Sequence, residues 1–345
     1  MKKKIIAAIT VLFLILAVKV PAQKSDLLPD KSGTFQVVNW SVHGMSGTDY
    51  TKAETQANYK KLIGLTEILR RNQVLASPKG FDGVARLYGY QFDKKAGYGI
   101  PCALSIEFQY FFVNNKGKEV KVNIEPPSWS MVINSVLCRA NTGFSYGTAK
   151  PDDTPKPGFN YEKWKEAGDK IRYMFFQPGK KETVSRGVDV YDNNYIVIYN
   201  PDNPPYWVPV TIREAYTWII DYWKLHPNPI ESEFMLKMME DEYAQVSESE
   251  RNSYAYFGAN PNINGNQVAG FCTDTTKNPL VRINTEYWNK KLPRSAIQMI
   301  TFDCPQDKKY LEREIESQQN YRTGDYYINS FLKVLDLAAL QKIID

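Results

Sequence analysis

Apolar residues change their spacing near residue 200 of the chain. Before that point they fall in short runs with partial period-two alternation, the pattern of half-buried strands. Such runs predict strands over 35–42, 84–88, 104–113, 119–124, 130–138, 171–177, 183–191 and 195–199. The runs at 104–113 and 119–124 flank Asn114-Asn115-Lys116-Gly117-Lys118, which predicts an antiparallel hairpin with a glycine-bearing loop. One early helix interrupts this half. Thr51 and Glu54 have capping-box spacing, and Leu62, Leu65, Ile68 and Leu69 continue one apolar face to about residue 75, where Ser77-Pro78-Lys79-Gly80 ends it.

The proline-rich break Asn200-Pro-Asp-Asn-Pro-Pro205 precedes a helical register. Thr211 and Glu214 form a second capping box, opening a helix to 225 with Tyr216, Ile219, Ile220 and Trp223 on its apolar side. Further helices are predicted over 230–246, briefly after Ser249, and over 308–319 and 330–344, while 258–285 is rich in Asn, Gly and Pro and reads as irregular. The class that fits is α+β, with a strand-rich region 34–200 and a helix-rich region 201–345 that can pack together as one domain.

The first 33 residues lie outside this pattern. Lys2, Lys3 and Lys4 precede an apolar run over 5–18, and Val20-Pro21-Ala22 ends it with small residues. That order predicts a secretory signal peptide over 1–22, followed by a flexible mature start over 23–33. The apolar run is short for a bilayer crossing, which takes about 20 residues. No later stretch reads as a membrane anchor, so the expected location is periplasmic or extracellular.

Cleavage changes the charge. The chain carries a formal net charge of +5, and the leader takes away Lys2, Lys3, Lys4 and Lys19 with no acidic residue, leaving +1. Without a Lys/Arg cluster to neutralise phosphates, nucleic acid is not an expected partner. The aromatic content of 13% loses only Phe13. The four cysteines, Cys102, Cys138, Cys272 and Cys304, allow three pairings in an exported chain, the sequential one stapling each half; four buried thiols are the other possibility. No C-x-x-C spacing and only two histidines argue against zinc, and no metal or cofactor is expected.

Four constellations carry candidate chemistry. Gly143-Phe144-Ser145-Tyr146-Gly147 matches the G-x-S-x-G elbow, but Pro151 and the loop behind it leave no helix to follow the serine. Its base would have to be His43, at a strand exit, or His226, at the end of the 211–225 helix, where a helix cap is the plainer role. Asn260, Asn262 and Asn264 copy the front of a calcium loop without carboxylates, and Phe271 stands where the bidentate Glu belongs. Glu231, Glu233, Glu240, Asp241 and Glu242 contain the residue types of a glycosidase, yet the likes of Glu233 and Lys237 at i,i+4 suit a solvated helix face.

Aromatic residues beside breaks in the pattern remain. Tyr206, Trp207 and Tyr256 are the ligand-binding candidates, because flat rings on loops suit sugar faces and peptide side chains. The expected function is a non-catalytic binding or envelope-associated module for an uncharged glycan or peptide. The alternative is a secreted hydrolase, using Ser145 or a carboxylate pair.

Overall fold

The computed structural model describes residues 26–41, 50–89, 98–135, 157–258, 262–263, 266–267, 270–319 and 324–345. The expected signal peptide, His43, Cys138 and Ser145 lie outside them. The fold is α+β: a large mixed sheet with a strand-rich N-terminal half and a helical C-terminal end.

The main path of the ten-stranded sheet runs Phe35–Ser41, Phe81–Gly89, Cys102–Val113, Ser128–Ile133, Met299–Asp303, Tyr195–Tyr199, Val188–Tyr191 and Lys181–Ser185. Only the first pair is parallel; every other pairing in the sheet is antiparallel. The expected hairpin is present, with Phe111 opposite Lys121 and Val113 opposite Glu119. Met299–Asp303 lies between Ser128–Ile133 and Tyr195–Tyr199, so the sheet draws strands from both sides of residue 200.

Alternation assigns the two faces of this sheet to different cores. Ile196, Ile198, Ile300 and Phe302 point to a core shared with Leu62, Leu65, Phe331 and Leu340 of the helices Lys52–Arg70, Gly324–Lys333 and Leu337–Gln341. Tyr195, Val197, Tyr191 and Met299 point the other way, into an aromatic layer. A strand buried on both faces has no polar side to display, which is why YIVIY reads as a continuous apolar run.

Across that layer lies a three-stranded sheet of Trp207–Pro209, Leu280–Ile283 and Met174–Phe176. Phe175 and Val281 face the aromatic layer, while Met174, Phe176 and Leu280 face the helices Tyr161–Arg172, Ile212–Leu225 and Pro229–Gln245. The order of layers is therefore helices, large sheet, small sheet, helices. Each fully buried large apolar side chain contributes roughly 1.5–3 kcal/mol, so three separate cores share the stabilisation.

Candidate functional site

Tyr206 and Trp207 are not presented to solvent: they are 4% and 7% exposed. The break at 200–205 delivers them into the aromatic layer, where Trp207 packs on Phe175 at 5.1 Å and on Tyr206 at 5.0 Å between centroids. Their ring faces are taken up by packing, which removes them from the set of surface ligand contacts. Proline spacing indicated a loop, but tertiary burial turned the same segment into an edge of the small sheet.

Tyr206 has a polar role there. Its hydroxyl donates to Asp189 Oδ2 at 2.5 Å and lies 2.8 Å from the Tyr191 hydroxyl. Asp189 is fully buried, and it also accepts from Thr183 Oγ1 at 2.7 Å and Tyr199 OH at 3.3 Å. Lys181 Nζ lies 2.9 Å from Oδ2 and reaches in from the exposed edge strand. A buried carboxylate is tolerated only when paired and hydrogen-bonded, and this one is both. Burial, helped by the neighbouring carboxylate, pushes the Tyr199 hydroxyl up to about 12 and the Tyr206 hydroxyl further still. Both phenols stay protonated donors at neutral pH, so the cluster is a closed polar anchor between sheets. No motif in the sequence marks it; Asp189 occupies an inward position of VDVY, and only the strand register exposes that.

His226 closes the helix Ile212–Leu225 as its C-cap, its backbone N–H donating to Trp223 O at 3.2 Å. Its Nδ1 accepts from the Asn228 N–H at 3.3 Å, and Trp164, Tyr222 and Trp223 surround the ring, with the nearest centroid at 4.8 Å. The imidazole is thus fixed in an aromatic box, with 8% exposure.

Of the candidate carboxylates Glu242 is half-buried, and burial raises its carboxyl against the opposing hydrogen bond from Tyr216. Glu231, Glu233, Glu240 and Asp241 are exposed along the helix Pro229–Gln245. Lys237 pairs forward with Asp241 at 2.6 Å, in place of the expected Glu233. On the large sheet, Arg86 holds Glu107 with two guanidinium nitrogens, and Gln109 Nε2 donates to the same carboxylate at 3.0 Å. Asp82 is held below the ordinary carboxylate range: burial alone would raise it, and Lys121 and Thr34 together outweigh that. Phe271, in the glutamate position of the calcium spacing, packs on Tyr216 at 5.2 Å. Among the described residues, no group of three or more His, Cys, Asp or Glu side chains is placed to hold a metal.

Of the two possibilities left by the sequence, the described cysteines show thiols: Cys102 and Cys304 are buried and free, and Cys272 is free and partly exposed. Cys272 lies on a short hairpin strand facing Tyr256, while Cys304 follows a central strand of the large sheet. Desolvation first of all pushes the Cys102 and Cys304 thiols up to about 12, which leaves them poor nucleophiles.

Among the described residues Tyr161, Phe234 and Tyr310 are exposed singly on helices, and the segment 254–257 brings several solvent-reaching rings together. Ala255 is fully buried and anchored on both sides, its N–H donating to Val210 O at 2.9 Å and its carbonyl accepting from Leu280 N at 2.7 Å. Phe257 follows on the same side, edge-on to Phe176 at 5.0 Å but 40% exposed. Tyr254 and Tyr256 alternate with these two: Tyr254 is 52% exposed and Tyr256 half-buried. In extended backbone, residues two apart stand about 6.5–7 Å from one another on one face. Tyr256 pairs opposite Cys272 and Phe257 opposite Phe271, and a separate two-stranded sheet sets Asn262 opposite Gln267 and Ile263 opposite Asn266. A Cβ at Gly258 would meet Gly270 O at 2.0 Å, so the two strands approach where only glycine fits.

Comparison of the chain with protein-family models, curated proteins and solved structures finds no match. Among the described residues no helix is long and apolar enough to cross a membrane.

Proposed function

We propose that the protein is an exported, non-catalytic binding module, associated with the envelope or released beyond it, that holds an uncharged glycan or peptide on Tyr254 and Tyr256. One observation carries this: Tyr254, 52% exposed, and the half-buried Tyr256 flank Ala255, which is fully buried and hydrogen-bonded on both sides, while Phe257, itself partly open to solvent, rests edge-on against the buried Phe176. A ring platform on an anchored strand loses little conformational entropy when a ligand stacks on it. Tyrosine also supplies a hydroxyl at the rim of its ring, which suits ligands rich in hydroxyl or amide groups. Of the three ring candidates from the sequence, Tyr256 keeps this role and Tyr254 takes the place of the buried pair.

The test is a glycan array and a pull-down from envelope fractions with the chain beginning after residue 22, run beside Tyr254→Ala. Binding that weakens in the variant supports the proposal. Wild-type binding unaffected by the substitution, or no binding to any glycan or envelope component, refutes it. N-terminal sequencing of the exported product tests the leader, with a start at Gln23 as the expected result.

A further inference from the structure

A groove lies on the helix-covered face of the large sheet, where the ends of the helices Lys52–Arg70 and Leu337–Gln341 meet. Its volume is about 590 Å³, within the range of small-molecule sites. Its floor includes Ile68, Leu335 and Ile343, all half-buried and open to the groove. Arg71 and Lys342, both exposed, stand at its rim. They cap the two helix C-termini, where positive charge is favourable, and among the described residues neither is within ion-pairing distance of a carboxylate. Arg70, one residue earlier, pairs with Glu67, so the contrast is local. The groove's one acid, Asp336, is occupied by capping, accepting from Ala339 N at 2.9 Å.

We infer that this groove binds a single-chain anionic amphiphile, its alkyl chain on the apolar floor and its head group between Arg71 and Lys342. An apolar floor alone takes any chain; the two unpaired cations select an anionic head. The site is separate from Tyr254 and Tyr256 and does not depend on their role.

Titration calorimetry with decanoate and with neutral decyl maltoside tests it. Decanoate should bind with one-to-one stoichiometry and more tightly than the maltoside. Ala339→Trp, a change at a half-buried lining residue, should fill the groove and abolish binding, with an unchanged urea midpoint as the control for folding. Arg71→Ala combined with Lys342→Ala should weaken decanoate about three- to tenfold, the scale of two exposed ion pairs, while Tyr254→Ala should leave it untouched. No decanoate binding, binding that survives Ala339→Trp, or equal affinity for the neutral head group would overturn the assignment.

Discussion

Tyr206→Phe deletes a single oxygen from the enclosed contact between the two sheets and keeps the ring. The packing of that ring on Trp207 and Tyr199, both at 5.0 Å, is retained. What is lost is the hydrogen bond to the Asp189 carboxylate and the oxygen near the Tyr191 hydroxyl. A hydrogen bond to a charged group contributes about 1.5–3 kcal/mol, and the buried carboxylate cannot turn to water for a replacement. Thr183, Tyr199 and Lys181 still hold Asp189, which limits the damage. The expected cost is about 2–4 kcal/mol. Urea unfolding followed by tryptophan fluorescence should show a lower midpoint with an unchanged slope. Tyr254→Phe, at an exposed position, should stay within about 0.5 kcal/mol of wild type. A Tyr206→Phe cost as small as that of Tyr254→Phe would refute the view that this hydroxyl anchors the layer.

Three further outcomes follow from other parts of the molecule. Arg294, followed by the Thr51 backbone and hydroxyl, holds the Glu54 carboxyl at about 2, below its ordinary 4.5. A depressed carboxyl contributes stability above its unfolded value and loses it as pH falls toward the folded one, so stability should decline between about pH 4.5 and 2. Glu54→Gln should flatten urea midpoints over that window, and an unchanged decline would contradict the role of this pair. In thiol labelling of the native protein followed by mass mapping, Cys272 should react first, while Cys102 and Cys304 should wait for denaturant; early labelling of either buried thiol would count against their burial. Gly258→Ala should disrupt the hairpin, because its Cβ lands 2.0 Å from Gly270 O, and should weaken ligand binding more than global stability; wild-type affinity in this variant would show that hairpin geometry is not needed.

Local signals were the legible part of this fold. Both capping boxes form as spaced, with Thr51 and Glu54, and Thr211 and Glu214, each satisfying the other's backbone donor. The helix at 308–319 and the strand at 195–199 also match, since each has strong period and clear ends. Signals that depend on distant partners were not legible. The strand Met299–Asp303 leaves no mark in the sequence because MITFD is too short for periodicity, and only its two neighbours define it. The helix Tyr161–Arg172 was hidden by a polar sequence, although Asn160 caps it by accepting from Lys163 N. One helix expected over 330–344 is two, Gly324–Lys333 and Leu337–Gln341, with Asp336 capping the second.

The same division runs through the candidate site. Ring chemistry pointed to Tyr206, Trp207 and Tyr256, but a ring's type does not say which face it turns to water. That follows from the burial of Ala255 between Tyr254 and Tyr256, and from Tyr191 and Tyr195 of the large sheet covering Trp207. Asp189 was invisible for the opposite reason: a lone aspartate in VDVY reads as a solvent-facing position.

The most direct test of the binding role is a titration of the glycan or peptide selected on the array against wild type, Tyr254→Ala combined with Tyr256→Ala, and Tyr206→Phe. Stacked aromatic contacts of about 0.5–1.5 kcal/mol each imply that losing both rings weakens binding about five- to hundredfold. The double variant should show that loss with an unchanged urea midpoint, while Tyr206→Phe, less stable, keeps wild-type affinity under folded conditions. Wild-type affinity in the double variant, or loss of affinity in folded Tyr206→Phe, would contradict the account.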